Sequence, residues 1–411
     1  MVTRRFDIIP RSMLGFLINR SQSVKSQLVS GGDHRKLIAV CRPLTLLAAL
    51  VLTAVAPWSI AQTNALKMSE SARAYLAGVL DIMEKNALNR DSIDWNRVRT
   101  DTFAKAGNAR TTADTYVAIA HALGELKEHH SFLMLPDSLD KDQKMWIQVQ
   151  MRDELIKTRG AITSGPRGRS PFASREMTGH VHQRNGKIFA HVVVPHCAGE
   201  YTEWEKDKPY FEEFADKLHG IVADLLAQKP DGWLVDLRGN DGGNMWPMLA
   251  GLGPLLGEGD LGSFQVPHGG SGTWFLKDGR IYSRGSNGEA VMSRIPASRV
   301  TSADLPWVAV LFDRGTSSSG EAVAISFAGR QRARSFGEQS AGFSTSNSRI
   351  PMSDGAALFL CTSVEADRTG RRYPVGLDPD TVLPAPDSRP AEDADAVILA
   401  AQDWILLQVT R

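Results

Sequence analysis

An apolar run followed at once by small hydroxylated residues and a helix-like segment is the most constraining feature of this 411-residue chain. The run 307–312 (WVAVLF) is typical of a buried strand, and 321–330 has helical periodicity. The segment between them, 314–321 (RGTSSSGE), is therefore predicted to be a tight turn that places a serine at a helix N-terminus. Free backbone N–H groups and the helix dipole stabilise an oxyanion at such a position. The alternative is that these hydroxyl groups are only N-caps, for which the same residue types are suited.

A glycine-rich turn follows a second strand pattern earlier in the chain. Residues 232–243 (GWLVDLRGNDGG) combine a buried-strand pattern with such a turn, and a helix candidate covers 245–256. Glycine lets the backbone approach a ligand closely and point its amides toward it. Alone, this pattern is common in α/β proteins, so its weight depends on the serine stretch.

The two stretches together, in this order, resemble the tail-specific (C-terminal processing) proteases, the serine peptidases of family S41. The core of that family carries Asp-Leu-Arg-x-Asn-x-Gly-Gly followed by Thr-x-Ser-x-x-Glu, and Ser318 falls on the nucleophile. The resemblance extends from His130 to Asp380, although only three stretches are specific. It implies an α/β (α+β) fold with a ClpP/crotonase-like spiral β-β-α core behind a helical N-terminal lobe.

A histidine is the general base that the resemblance implies. In residues 126–132 (LKEHHSF), Glu128 and His130 occupy the acid and histidine positions of the family motif Leu-x-Asp-x-His-Ser/Thr. The larger branch of the family uses a lysine instead, but Phe343 stands at that position and no lysine follows Lys277. Arginine cannot replace it, because its guanidinium does not deprotonate. The chain therefore resembles the histidine-dependent branch of tricorn-like and retinoid-binding-protein-like members. Without these motifs, two surface histidines at a helix end would be the simpler interpretation.

The pKa of His130 is expected to lie near or somewhat above the ordinary histidine value of about 6.5. A carboxylate acting through a second hydroxyl orients the histidine in the resembling branch. Glu365, at the end of the apolar strand 356–364, is predicted to supply it, with Ser131 or another hydroxyl as the bridge. Asp380 and Glu321 are the alternatives, and both are expected to be structural.

The N-terminal 61 residues are predicted to direct export. A long n-region precedes the apolar run 44–58, and 59–61 (SIA) form a small-x-small cleavage site. The alternatives are a translation start at Met13 and retention of the segment as a membrane anchor. Removing residues 1–61, which contain eight basic and two acidic residues, changes the balance from 47 basic and 46 acidic residues to 39 and 44. A mildly acidic mature protein argues against nucleic acid as a partner and against contact with a membrane other than through that segment.

Four regions are predicted after residue 61. They are a helical lobe (62–135), an irregular connection or flap (136–178), the protease core (179–390) and a C-terminal helix (391–411). The connection is too short for the PDZ domain that many family members carry. Cys197 and Cys361 are expected to be buried free thiols. No Cys/His spacing is typical of a zinc site, and neither a metal nor a cofactor is predicted.

Two functions follow from the resemblance. In the first, an exported periplasmic or secreted peptidase acts on a peptide or unfolded protein. His130 deprotonates Ser318, and the amides of Gly243, Ser319 and Gly242 form the oxyanion hole. In the second, the fold is kept as a binding protein for a peptide or small hydrophobic ligand, and the serine is idle. The presence of His130 together with Ser318 favours the enzyme. The oligomeric state is not predicted.

Overall fold

The computed structural model describes residues 67–159, 170–199, 204–267, 269–294, 305–384 and 386–410. The predicted signal segment, 1–61, lies outside these residues. Within the described part of the chain, none of the helices combines the length and apolarity needed to cross a bilayer. Nine α-helices are described: α1 Glu70–Asn86, α2 Trp95–Ala106, α3 Tyr116–Gly124, α4 Lys141–Arg159, α5 Trp204–Ala227, α6 Met245–Gly251, α7 Gly253–Leu256, α8 Ser319–Phe327 and α9 Ala396–Val409.

Thirteen strands are described over the same residues. They are β1 Phe132–Met134, β2 Thr178–Arg184, β3 Lys187–Val193, β4 Gly232–Asp236, β5 Gly259–Gln265, β6 Ser271–Lys277, β7 Arg280–Gly285, β8 Gly288–Arg294, β9 Val308–Phe312, β10 Ala333–Gly337, β11 Thr345–Pro351, β12 Ala357–Asp367 and β13 Thr381–Val382. Two sheets result, a mixed one in the order β13-β10-β9-β4-β3-β2 and an antiparallel one in the order β1-β12-β5-β6-β7-β8, with β11 also paired to β12.

The mixed sheet is parallel except at its β2–β3 edge. All five residues of β4 and all five of β9 are buried, as their continuous apolar runs predict for central parallel strands. One face of the sheet packs in a core with α5, α6 and α8, and α9 covers the other. The carboxyl ends of β4 and β9 are neighbours, so the two stretches singled out in the sequence meet at one edge of the sheet.

The helical lobe predicted after residue 61 is present as α1, α2 and α3. In α1, Leu76, Val79, Leu80 and Met83 are fully buried at helical spacing. Ser69 caps this helix, because its hydroxyl accepts a hydrogen bond from Ala72 N–H at 3.1 Å. The lobe ends in β1, which pairs antiparallel with β12 and so brings the preceding loop to the core. The α/β fold with a helical N-terminal lobe is thus confirmed.

The region predicted as an irregular connection or flap, 136–178, instead contains the 19-residue helix α4. Its buried positions are Ile147, Met151 and Glu154, which share one face, and the helix packs on α3. With so few buried positions among polar residues, the hydrophobic periodicity was too weak to predict a helix. Cys197 and Cys361 are both buried free thiols, as expected.

Candidate active site

The turn between β9 and α8 holds Ser318 in an unusual backbone conformation. Its φ is 52° and its ψ is −122°, a region that residues with a side chain rarely adopt. The turn is tied to the loop after β4, because the Thr316 hydroxyl donates to Leu237 C=O at 2.8 Å and Ser317 N–H donates to Asn240 C=O at 3.0 Å. These hydrogen bonds hold the turn in one conformation, so the strained backbone of Ser318 is retained.

Ser318 lies within hydrogen-bond distance of His130, which is 188 residues away in sequence. The distance from His130 Nε2 to Ser318 Oγ is 3.0 Å, and His130 Nδ1 lies 2.9 Å from Thr345 Oγ1. When Nδ1 carries the proton and donates to Thr345, Nε2 is free to accept the serine proton. This is the nucleophile, base and orienting-group arrangement of serine hydrolases.

The loop between α3 and β1 positions His130 through its backbone and its ring. The Glu128 carboxylate accepts hydrogen bonds from the N–H groups of His130 (2.6 Å) and Ser131 (3.0 Å). On the other side, the Asn347 amide donates to His130 C=O at 2.9 Å. Phe343 packs edge-on against the imidazole. These contacts restrict both the position and the tilt of the ring.

Burial lowers the pKa of His130 to about 4, and hydrogen bonding to Thr345 offsets only part of this effect. The expectation of a value near or above 6.5 is therefore not met. Proximity to a helix end and to a carboxylate favours the charged imidazole. Burial of the ring excludes water, and the resulting cost of desolvating the charged form is larger than both effects. His130 is consequently neutral, and able to accept a proton, over the whole neutral range.

Two of the three predicted oxyanion donors point to no other acceptor. In the described chain, no hydrogen bond engages the N–H of Gly243 or of Ser319, which is the first residue of α8. The N–H of Gly242 differs from the prediction, since it donates to Asn240 Oδ1 at 3.0 Å and is not available. Gly242 instead allows close approach: a Cβ there would lie 2.9 Å from Ser318 Cβ, and its φ is +105°.

Glu321 braces the nucleophile turn. Its carboxylate accepts hydrogen bonds from the N–H groups of Ser318 (2.8 Å), Gly342 (2.9 Å) and Phe343 (2.8 Å) and from the Ser340 hydroxyl (2.5 Å). Burial raises its pKa to about 7 although these hydrogen bonds lower it. Glu321 thus links the serine to the segment that carries Phe343, in the structural role expected of it.

Glu365 lies on β12 and is not the group that contacts the histidine in the structure. Thr345 occupies Nδ1 of His130, and the buried Oε2 of Glu365 has no hydrogen-bond partner. Burial, together with the nearby Glu321, raises the pKa of Glu365 well above its usual range. Ser131, the suggested bridge, accepts instead from the N–H of Cys361 at 2.8 Å. Burial disfavours the charged form of Glu365, so its orienting role stays a prediction that no contact with His130 supports.

Thr345 and Asn347 are the site residues that sequence reasoning missed. Both lie on β11, which is antiparallel to β12 and edges the site. The stretch 344–348 (STSNS) matches no motif, and because all five residues are polar, no alternation of apolar and polar residues indicates a strand. Only the pairing of β11 with β12 shows which of its hydroxyl groups reaches the histidine.

Comparison with known proteins is consistent with this geometry. Residues 202–383 match the model of peptidase family S41. A nisin-resistance protein of Lactococcus lactis subsp. lactis is 26% identical over 348 residues, covering 84% of this chain and 92% of that protein. A lipoprotein from Streptococcus agalactiae has the same fold, with a TM-score of 0.56 at 20% identity over 83% of this chain and 98% of that one. The photosystem II D1 C-terminal processing protease is similar with a TM-score of 0.49 at 16% identity, covering 77% of this chain and 94% of that chain.

Proposed function

Residues 202–383 match the model of peptidase family S41, and we propose that this chain is an exported serine peptidase with Ser318 as its nucleophile and His130 as its general base. The observation that carries the proposal is the 3.0 Å contact between His130 Nε2 and Ser318 Oγ. His130 follows the helical lobe, whereas Ser318 lies in the core. Ser318 is partly exposed and its backbone is strained, so a contact between these two side chains is better explained by catalysis than by stability.

The proposed reaction passes through an acyl-enzyme. Ser318 Oγ bonds to the carbonyl carbon of the scissile peptide while its proton moves to His130 Nε2. The N–H groups of Gly243 and Ser319 stabilise the resulting oxyanion, helped by the N-terminus of α8. The imidazolium then gives the proton to the leaving amine, and the C–N bond breaks. Water, deprotonated by His130, hydrolyses the ester and restores the serine.

We assign the orienting role to Thr345 in place of Glu365. A hydroxyl at Nδ1 holds the direction of the imidazole without adding a charge, and it accepts from Nδ1–H in the tautomer that leaves Nε2 free to take the serine proton. A neutral partner stabilises the imidazolium less than a carboxylate does, which agrees with the low pKa of His130. The base is then weak but always in its reactive form near neutral pH.

Covalent labelling with a fluorophosphonate probe tests this function, because the probe requires an activated serine. Wild-type protein should be labelled, and the Ser318→Ala variant should not. Ser317→Ala and Ser319→Ala are matched controls, since those hydroxyl groups donate to the backbone carbonyls of Asp241 (3.0 Å) and Gly243 (2.8 Å). Both variants should still be labelled at Ser318, as peptide mapping would show.

The substrate class that fits is a peptide or an unfolded protein. One relative is named for resistance to nisin, so nisin belongs in the substrate panel beside unstructured peptides with free and amidated C-termini. Export rests on the apolar segment 44–58 and its cleavage site, and N-terminal sequencing of the secreted protein would test it. A wild-type protein that binds peptides but resists labelling would favour the catalytically idle binding protein instead.

A further inference from the structure

Three histidines and a glutamate meet at the β2–β3 edge of the mixed sheet, among residues that the proposed reaction does not use. His180 and His182 are two positions apart on β2 and share one face, and His191 is the register partner of His180 on β3. Glu392 reaches them from a 3₁₀ turn, Glu392–Ala394, just before α9. One ligand atom from each of the four residues lies within 4.8 Å of all the others.

The ligand atoms face one another across a small space. His180 Nε2 lies 2.8 Å from Glu392 Oε2, and His182 Nε2 lies 3.0 Å from His191 Nδ1. The distance from His182 Nε2 to Glu392 Oε2 is 3.8 Å. Ligand atoms of a tetrahedral zinc ion, with bonds of about 2.0–2.1 Å, are about 3.4 Å apart. The measured separations lie on both sides of that value, so small side-chain rotations would complete a tetrahedron.

The surroundings of His191 prepare its Nδ1 for a metal. The His191 side chain is fully buried, and its other nitrogen, Nε2, lies 3.2 Å from Asp236 Oδ2. The Asp236 carboxylate is paired with two guanidinium groups, at 2.6 Å from Arg175 Nη1 and 2.7 Å from Arg238 Nη2. Nε2–H therefore donates to Asp236, and the Nδ1 lone pair points to the cluster. Metal-binding histidines commonly have such a carboxylate behind them.

The alternative is a histidine cluster held by hydrogen bonds alone. Hydrogen bonds account for two pairwise contacts, but they give no reason for three rings to converge with centroids 4.8–5.2 Å apart beside a carboxylate.

We propose that His180, His182, His191 and Glu392 form a zinc-binding site. Three imidazole nitrogens and one carboxylate oxygen suit zinc, and four protein ligands leave no open position for a substrate, as in structural sites. The ion would tie the β2–β3 hairpin to the start of α9. Near Glu392, Asp395 caps α9 and accepts a hydrogen bond from Arg238 at 2.7 Å, so the same segment is already anchored to the sheet.

No local sequence pattern indicates this site, because Glu392 is 212 residues from His180 and the spacing matches no zinc motif. The test uses the mature chain, freed of any affinity tag and stripped with EDTA. We expect one zinc per chain by competition with a chromophoric chelator and by elemental analysis, with a dissociation constant below about 1 µM. The melting temperature should rise with zinc concentration.

Variants distinguish this site from adventitious binding. His182→Ala and Glu392→Gln should each weaken zinc binding at least about 10-fold, more than a change in a supporting group commonly does. His196→Ala is the matched control. His196 lies 2.8 Å from Asp241 with side chains 36% and 37% exposed, almost as His180 and Glu392 lie 2.8 Å apart with 36% and 38% exposed. The control variant should bind zinc as tightly as wild type.

Two results would overturn the proposal. One is a chain that takes up no stoichiometric zinc at micromolar concentrations. The other is binding that Glu392→Gln leaves unchanged, which would place the metal elsewhere. Glu392 is partly exposed on a short turn, so this variant should fold even if His182→Ala does not. Cobalt substitution adds an independent readout, since the visible spectrum of a four-coordinate site should disappear in Glu392→Gln.

Discussion

The ring of Phe343 packs edge-on against the imidazole of His130, with centroids 5.5 Å apart and planes at 76°. Phe343 stands where the lysine-dependent branch of the family has its base. An aromatic ring in that place cannot take a proton, but it covers one side of the histidine and helps to exclude water. Phe343 thus shapes the environment of the proposed base, His130.

The first prediction concerns the pH dependence of the wild-type enzyme. Only neutral His130 accepts the serine proton, so kcat/KM should stay level from pH 8 down to about pH 6 and fall only as the pH approaches about 4. Circular dichroism at each pH would separate this loss from unfolding. An acidic limb centred at 6.5 or above would show that the imidazole is more hydrated than the packing indicates.

The lowered pKa of His130 also makes the free energy of unfolding depend on pH. The folded-state pKa of His130 is lower than the unfolded value of about 6.5, so the unfolded chain binds the proton first. Its contribution to stability is complete above pH 6.5 and is lost as the pH falls from there toward about 4. In His130→Gln, which does not titrate, denaturant unfolding should be less sensitive to pH in this window than in wild type.

The second prediction concerns Phe343→Ala. Removing the ring admits water to His130, so the acidic limb of kcat/KM should move upward from about 4 toward the ordinary histidine value. Tyr282→Ala is a control, because it removes an aromatic partner of Phe275 in the β6–β7 hairpin, where the rings stack 5.1 Å apart. The control should leave the limb in place. If the acidic limb of kcat/KM were unchanged in Phe343→Ala, groups other than Phe343 would exclude water from His130.

The two central strands and the turns that follow them could be predicted from sequence because local patterns determine them. Continuous apolar runs are typical of buried parallel strands, and the pairing of β4 with β9 brings their carboxyl ends together. Thr345 could not be predicted, since its contact with His130 depends on the pairing of β11 with β12 rather than on any local signal. The role of Glu365 stays a prediction for a related reason, because a carboxylate at the end of an apolar strand can be either buried or functional.

The third prediction separates the two buried carboxyl groups near the site. Glu365→Gln should keep near wild-type turnover, because Thr345, and not Glu365, is hydrogen-bonded to His130 and burial favours the neutral form of the Glu365 carboxyl group. Its folded-state pKa is raised, so its contribution to stability is complete below the unfolded value of about 4.3 and falls as the pH rises above it. The substitution should therefore stabilise the protein more at pH 8 than at pH 5. Glu289→Gln, at an exposed ion pair with Arg284, should show no such difference.

The fourth prediction is that Glu321→Gln lowers both turnover and stability. A carboxylate accepts from three backbone N–H groups and from the Ser340 hydroxyl at once, whereas the amide NH₂ of glutamine accepts nothing. At least one buried N–H then loses its acceptor, at a cost of about 1–3 kcal/mol. Fluorophosphonate labelling rates and denaturant midpoints would measure the two effects. Full activity in Glu321→Gln with loss in Glu365→Gln would return the catalytic role to Glu365.

The fifth prediction concerns Thr345→Val, which removes the hydroxyl from Nδ1 of His130 while keeping the shape of the side chain. One net hydrogen bond is worth about 1 kcal/mol, so kcat should fall on the order of 10-fold if Thr345 only orients the ring. The Thr345 hydroxyl lies 2.9 Å from His130 Nδ1, and an acceptor at that distance favours the protonated imidazole, so the acidic limb of kcat/KM should also move to lower pH. Thr345→Ser should restore both properties. If Thr345 only supported the fold, its replacement would leave the acidic limb of the pH profile in place.

The last prediction uses the backbone of Ser318 itself. At φ 52° and ψ −122°, any residue with a Cβ is strained, whereas glycine adopts this conformation readily. Ser318→Ala and Ser318→Gly should both abolish labelling, since both remove the nucleophile, but only glycine relieves the strain. We expect Ser318→Gly to be more stable than Ser318→Ala by about 1 kcal/mol, less than the full strain because glycine loses more entropy on folding. Denaturant unfolding of the two variants measures the difference directly. Equal stabilities would mean that the turn relaxes in the alanine variant, and that the strain is not imposed by the two strand ends.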